Sequence, residues 1–75
     1  MKLAQYLSDN KITQLVFAEK VGVSQVTINR YVKGERFPDF EMIEKIFQAS
    51  DKQVTVTDWY QQAAEDRAAK SGQAA

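Results

Sequence analysis

Three glycines and one proline, Gly22, Gly34, Gly72 and Pro38, are the only strong breakers in a chain of 75 residues. With so few, each marks a boundary between elements. The segments between them carry apolar residues at helical spacing. Lys2–Ser8 has Leu3, Tyr6 and Leu7 at i, i+3 and i+4, which predicts a short amphipathic helix. Asp9-Asn10-Lys11 is turn-like. Thr13 is placed to cap a second helix through Val21, because its hydroxyl accepts from first-turn N–H groups that lack a partner. Phe17, Ala18 and Val21 then face inward. Gly22 ends this helix in a left-handed conformation that costs glycine little. Ser24 caps a third helix, Gln25–Lys33, with Ile28 and Tyr31 buried and Gly34 as its stop.

Beyond Pro38 a fourth helix runs to about Ala49. Phe40, Ile43, Ile46 and Phe47 form its apolar stripe, and Glu41 and Lys45 pair at i, i+4 on the wet face. Asp51–Thr57 is ambiguous. Val54-Thr55-Val56 has β-propensity, but a three-residue strand needs a partner. Thr57 or Asp58 is placed to cap a last helix carrying Trp59 and Tyr60. From Gln61 the chain is Ala-rich and polar, with no Val, Ile, Leu, Met or aromatic residue. It favours helix but has little to bury, so it is expected to fray by about Lys70 and to end disordered. The expected fold is all-α with five helices, plus a short strand or extended segment near 54–56. Residues 1–60 form the domain and 61–75 a polar tail.

Composition narrows the function. A chain this short buries only about 60% of its unfolded surface, which leaves no room for a second domain or a large enclosed active site. It has no cysteine and no histidine, so disulfides, thiolate chemistry and the commonest general base and metal ligand are missing together. No enzyme activity, metal or cofactor is expected. The longest strictly apolar run, Leu15–Ala18, is far short of the ~20 residues of a membrane span, and the polar start does not read as a signal peptide. A cytoplasmic protein without membrane contact is expected. Net charge is zero, yet the charge is split. Residues 10–36 hold five basic and two acidic side chains, whereas 37–75 hold four basic and seven acidic. The positive part therefore surrounds the second and third helices.

Those two helices lie three residues apart with Gly22 between them, which is the spacing of a helix-turn-helix. Ala18 is small where the helices cross. Phe17, Val21, Val23, Ile28 and Tyr31 are apolar where the pair must pack on the rest of the domain. The exposed face of the third helix then holds Gln25, Val26, Thr27, Asn29, Arg30 and Lys33. A Gln amide pairs bidentately with adenine and Arg with guanine, while Val and Thr methyls contact the thymine methyl.

The stretch QLVFAEKVGVSQVTINRYVK, residues 14–33, resembles the helix-turn-helix of the Cro/repressor-like (XRE-type) family. Val23 to Arg30 is close to the recognition helix of Cro-type members, where Gln and then Ile-Asn-Lys occupy the same offsets. The resemblance covers roughly residues 3–49. It implies a compact helical domain that docks on double-stranded operator DNA as a homodimer. By position, Gln25, Val26 and Arg30 match the family's base-contacting sites, and Gln14 and Ser24 its phosphate-contacting sites. Asn29, Lys33 and Arg36 fall near the same backbone. The pattern departs from Cro after Arg36, where strands give way to an amphipathic helix as in the all-helical repressors. KQVTVTDWY also resembles small YdaS-like phage regulators. A repressor of Cro-like type, encoded by a phage or prophage, is the expected function.

Several residues admit a plainer role. Arg30 and Lys33 could be ordinary solvated charges, and Lys11 and Lys20 fit that description better than specific contact. Trp59 either closes the bottom of a small core or joins Val54, Val56 and Phe47 in a self-complementary dimer patch, since aromatic residues are enriched at interface centres. Asp58, Glu65 and Asp66 fit a solvated helical face better than a catalytic group. A different class of function also stands. The protein could be an antitoxin or accessory DNA-binding partner whose residues 58–75 bind another protein.

Overall fold

The computed structural model describes residues 1–74, with side chains described through Arg67. Among these residues the chain forms five helices and no strand: α1 Leu3–Asp9, α2 Gln14–Val21, α3 Gln25–Lys33, α4 Phe40–Ala49 and α5 Val56–Ala74. Capping follows the expected chemistry at three starts. The Thr13 hydroxyl accepts from the Val16 N–H at 3.2 Å, Ser24 from Thr27 at 3.2 Å, and Asp39 from Met42 at 2.8 Å. Gly22 and Gly34 end α2 and α3 at φ +87° and +75°, in the left-handed region where a side chain is strained.

One core joins all five helices. It is built from Leu3, Tyr6 and Leu7 of α1, Phe17 and Ala18 of α2, Ile28 and Tyr31 of α3, Ile43 and Ile46 of α4, Val54 of the connector before α5, and Trp59 in the first turn of α5. Tyr6 meets the Phe17 ring edge-on at 5.9 Å, and Tyr31 meets Trp59 in the same way at 6.0 Å. Burying side chains of this size stabilises the fold by about 1.5–3 kcal/mol each. Ser50 is also fully buried. Its hydroxyl donates to the Phe47 carbonyl at 3.1 Å and accepts from the Val54 N–H at 3.0 Å, so the burial leaves no polar group unpaired.

Three expectations change. Phe40, assigned to the apolar stripe of α4, is 79% exposed. At 100° per residue it stands about 120° around the helix from fully buried Ile46, and in the first turn no other element covers it. Val54-Thr55-Val56 makes no strand. Val54 plugs the core, and Thr55 caps α5 in place of Thr57 or Asp58. The Thr55 hydroxyl accepts from the Asp58 N–H at 3.3 Å, while the Asp58 carboxylate accepts from the Thr55 N–H at 2.9 Å. This reciprocal pair is a capping box. Finally, α5 continues to Ala74, past Lys70 where fraying and then disorder of the last residues were expected, and Ala75 lies outside the described residues.

The start of the presumed tail is docked on the domain. Gln62 donates its side-chain amide to the Tyr31 carbonyl at 3.0 Å, Glu65 pairs with Lys2, and the Asp66 carboxylate lies against Gly34. The Met1 ammonium bonds both the Gln53 carbonyl, at 2.8 Å, and the Asp58 carboxylate. Beginning and end of the fold are thereby clasped together, and α5 braces the last turn of α3.

Candidate nucleic-acid interface

The helix-turn-helix is built by local rules. Ala18 is 1% exposed, which lets α2 and α3 approach closely. The Ala18 carbonyl accepts from the N–H groups of both Gly22 and Val23, at 2.8 and 3.0 Å, so the end of α2 and the turn share one acceptor. The chain then swings into the Ser24 cap. With Ile28 and Tyr31 anchored in the core, the orientation of α3 is fixed.

That anchoring decides which side chains of α3 face out. Counting 100° per residue, Gln25, Asn29, Lys33, Val26 and Arg30 fall within an arc of about 140°, opposite Ile28 and Tyr31. Gln25, Val26, Arg30 and Lys33 are exposed, as are Ser24 and Arg36 beside the helix ends. Among the described residues, Arg30, Lys33 and Arg36 are in no ion pair. The arc is one continuous surface, with an amide and an isopropyl group at the leading end and two cations behind.

Two of the expected contacts are more constrained than the sequence implied. Thr27 is half-buried at the flank of the arc, and its hydroxyl lies 2.9 Å from that of Ser24 within the cap. Asn29 is half-buried and donates its amide to Gln14 Oε1 at 3.1 Å. This bond ties the first residue of α2 to the middle of α3 and leaves the Gln14 amide N–H groups turned away from Asn29. Gln14 and Asn29 are 15 positions apart, and nothing in the local pattern signals the pair.

The expected dimer patch is corrected. Val54 is 0% and Trp59 3% exposed, both inside the chain's own core, so neither is available on the surface. Phe47 is half-buried, and only Val56 of the four is exposed. Val56 shares its surroundings with other exposed apolar side chains. The Phe37 and Tyr60 rings pack at a 45° tilt with centroids 5.4 Å apart, and Val56 lies one turn before Tyr60.

The acidic residues of α5 do not converge. Asp58 is 16% exposed and occupied by the cap rather than solvated. Burial pushes its carboxyl up, but the hydrogen bond from the Met1 ammonium, those from the Thr55 N–H and hydroxyl, and the ammonium's charge outweigh this and hold it below the usual carboxylate value. Glu65 pairs with Lys2, and Asp66 sits at the end of α3. No group of three or more His, Cys, Asp or Glu among the described residues is placed to hold a metal ion. No helix among them is long and apolar enough to cross a membrane.

The helix-turn-helix family model matches residues 3–54. Comparison with curated proteins and with solved structures returned no match. The matched span exceeds half of the 75 residues and contains α1 to α4 entire. The chain belongs to the helix-turn-helix family of the Cro/repressor (XRE) type and is a DNA-binding regulator.

Proposed function

We propose that the protein is a transcriptional repressor that binds a palindromic operator as a homodimer, with α3 in the major groove. The observation that carries this reading is the arc on α3. Hydrogen-bonding, apolar and cationic side chains share one uncovered face, and the core holds the opposite face. Gln25, Val26, Thr27 and Arg30 contact bases. Gln14, Ser24, Asn29, Lys33 and Arg36 contact phosphates, with Asn29 acting in part by holding Gln14. Phosphate contacts supply most of the affinity and the orientation, and base contacts choose the site. Two copies place their third helices one DNA turn apart, about 34 Å. Phe37, Tyr60 and Val56, three of the exposed apolar side chains, make the contact between copies. Repression follows from covering a promoter.

Selection from a randomised duplex library near physiological salt tests this reading. An enriched palindrome with one-turn half-site spacing is expected. Arg30→Ala should then cost about 1–3 kcal/mol and relax preference at one base pair. No enrichment, with only weak salt-sensitive binding, refutes site-specific recognition. Equal weakening on cognate and random DNA makes Arg30 a phosphate contact.

A further inference from the structure

We propose that the cleft between the end of α3 and α5 binds a small monoanionic carboxylate with an apolar body, and that the bound carboxylate competes with DNA for Arg36. The binding stands on the cleft alone, and only the competition rests on the reading of Arg36 as a phosphate contact. The cleft has about 360 Å³ of room, near the lower end of the roughly 300–1,000 Å³ of small-molecule sites. Helix α5 lines it with Trp59, Ala63, Asp66 and Arg67, which share one face at helical spacing, and the connector after α3 adds Arg36 and Phe37.

The charges of the lining select the charge of the ligand. Arg36 and Arg67 are exposed, and among the described residues neither is in an ion pair. Against these two cations stands one carboxylate, Asp66, which leaves one positive charge. Guanidinium groups donate to carboxylates in strong charge-assisted bonds. Asp66 and the carbonyl end of α3 oppose a second negative charge, so a monoanion fits better than a dianion. The remaining side chains select the body. Phe37 is 46% exposed and offers apolar surface at the rim, with Ala63 beside it in the lining. Trp59 is 3% exposed, and its indole N–H, which can only donate, is buried without an acceptor. An unpaired buried donor is unfavourable, so a ligand oxygen that reaches it makes a bond the free protein lacks. A carboxylate has an oxygen for each donor. One accepts from a guanidinium and the other from Trp59 Nε1, while the apolar body covers Phe37 and Ala63.

Benzoate is the probe, and benzamide is its neutral counterpart of nearly the same shape. The chain has one tryptophan, so its single indole N–H signal in a nitrogen–proton correlation spectrum reports on Nε1 directly. Benzoate is expected to move that signal downfield in a saturable titration with a Kd of about 1 mM or tighter. Benzamide should bind about tenfold more weakly. Arg67→Gln should keep the helical circular dichroism and weaken benzoate binding about twofold to fivefold, and Asp66→Asn should strengthen it by about the same factor. The competition is measured on the operator obtained by library selection. Saturating benzoate at matched ionic strength should weaken operator binding by the wild type about twofold to fivefold and leave that of Arg36→Gln unchanged. No saturable shift of the indole signal, or benzamide binding as tightly as benzoate, overturns the site while leaving operator binding intact. A saturable shift with operator binding unchanged overturns the competition. Failure to enrich any operator overturns the competition together with the reading of α3, and the benzoate titration still decides the site.

Discussion

Gly34 and Gly22 adopt nearly the same backbone conformation but sit in different surroundings, which separates strain from collision. Both have positive φ, +75° and +87°. An alanine in this region costs about 1–2 kcal/mol from the clash of its Cβ with the backbone. At Gly22 a Cβ would meet nothing within 4 Å, so strain is the whole cost. At Gly34 it would run into the Asp66 carboxylate, which must move. Asp66 is on α5, and its displaced carboxylate gives up its place beside the end of α3. We expect Gly22→Ala to destabilise by about 1–2 kcal/mol and Gly34→Ala by about 2–3 kcal/mol. In an Asp66→Ala background the cost of Gly34→Ala should fall to that of Gly22→Ala. Urea unfolding followed by Trp59 fluorescence measures all four variants, because Trp59 is buried in the native state. Equal costs for the two glycines in the wild-type background, or no relief from Asp66→Ala, would refute the close approach of α5 to the end of α3.

Other substitutions test the remaining parts of the structure. Asp58 has a lowered pKa in the folded state, so its stabilising contribution is present above the unfolded carboxylate value near ~4 and is lost as pH falls through the lower folded value. Asp58→Asn should flatten the fall of the urea midpoint below about pH 5 and cost about 1 kcal/mol at neutral pH through the weakened cap; a pH profile identical to the wild type would rule this out. Ile46→Ala should cost about 2–5 kcal/mol, whereas Phe40→Ser should change stability by about 0.5 kcal/mol or less. Comparable losses in thermal or urea unfolding would place Phe40 back in the core. Tyr60→Lys should leave the monomer folded and weaken self-association in sedimentation equilibrium, and an unchanged dimer constant would remove Tyr60 from the contact between copies.

What the sequence determined was local. Thr13, Ser24, Gly22 and Gly34 act within a few residues of themselves, through caps and left-handed turns, and their roles were legible without a structure. So was the outward face of α3, since helical periodicity opposite Ile28 and Tyr31 leaves little choice of which residues point away. Tertiary structure decided whatever depended on distant neighbours. Apolar character in Val54, Trp59 and Phe40 states a tendency to be covered but not what covers them. Val54 found room in the core and Trp59 beside Tyr31, while Phe40, in the first turn of α4, found no cover. The Gln14–Asn29 bond and the clasp of Met1, Lys2, Asp58 and Glu65 join residues far apart in the chain, so no local pattern announces them. The stretch after Gln61 looked unemployed because it lacks large apolar residues. Its contacts are polar, and the partner that Gln62 bonds, the Tyr31 carbonyl, is exposed to it only by the folded geometry of α3 against α5.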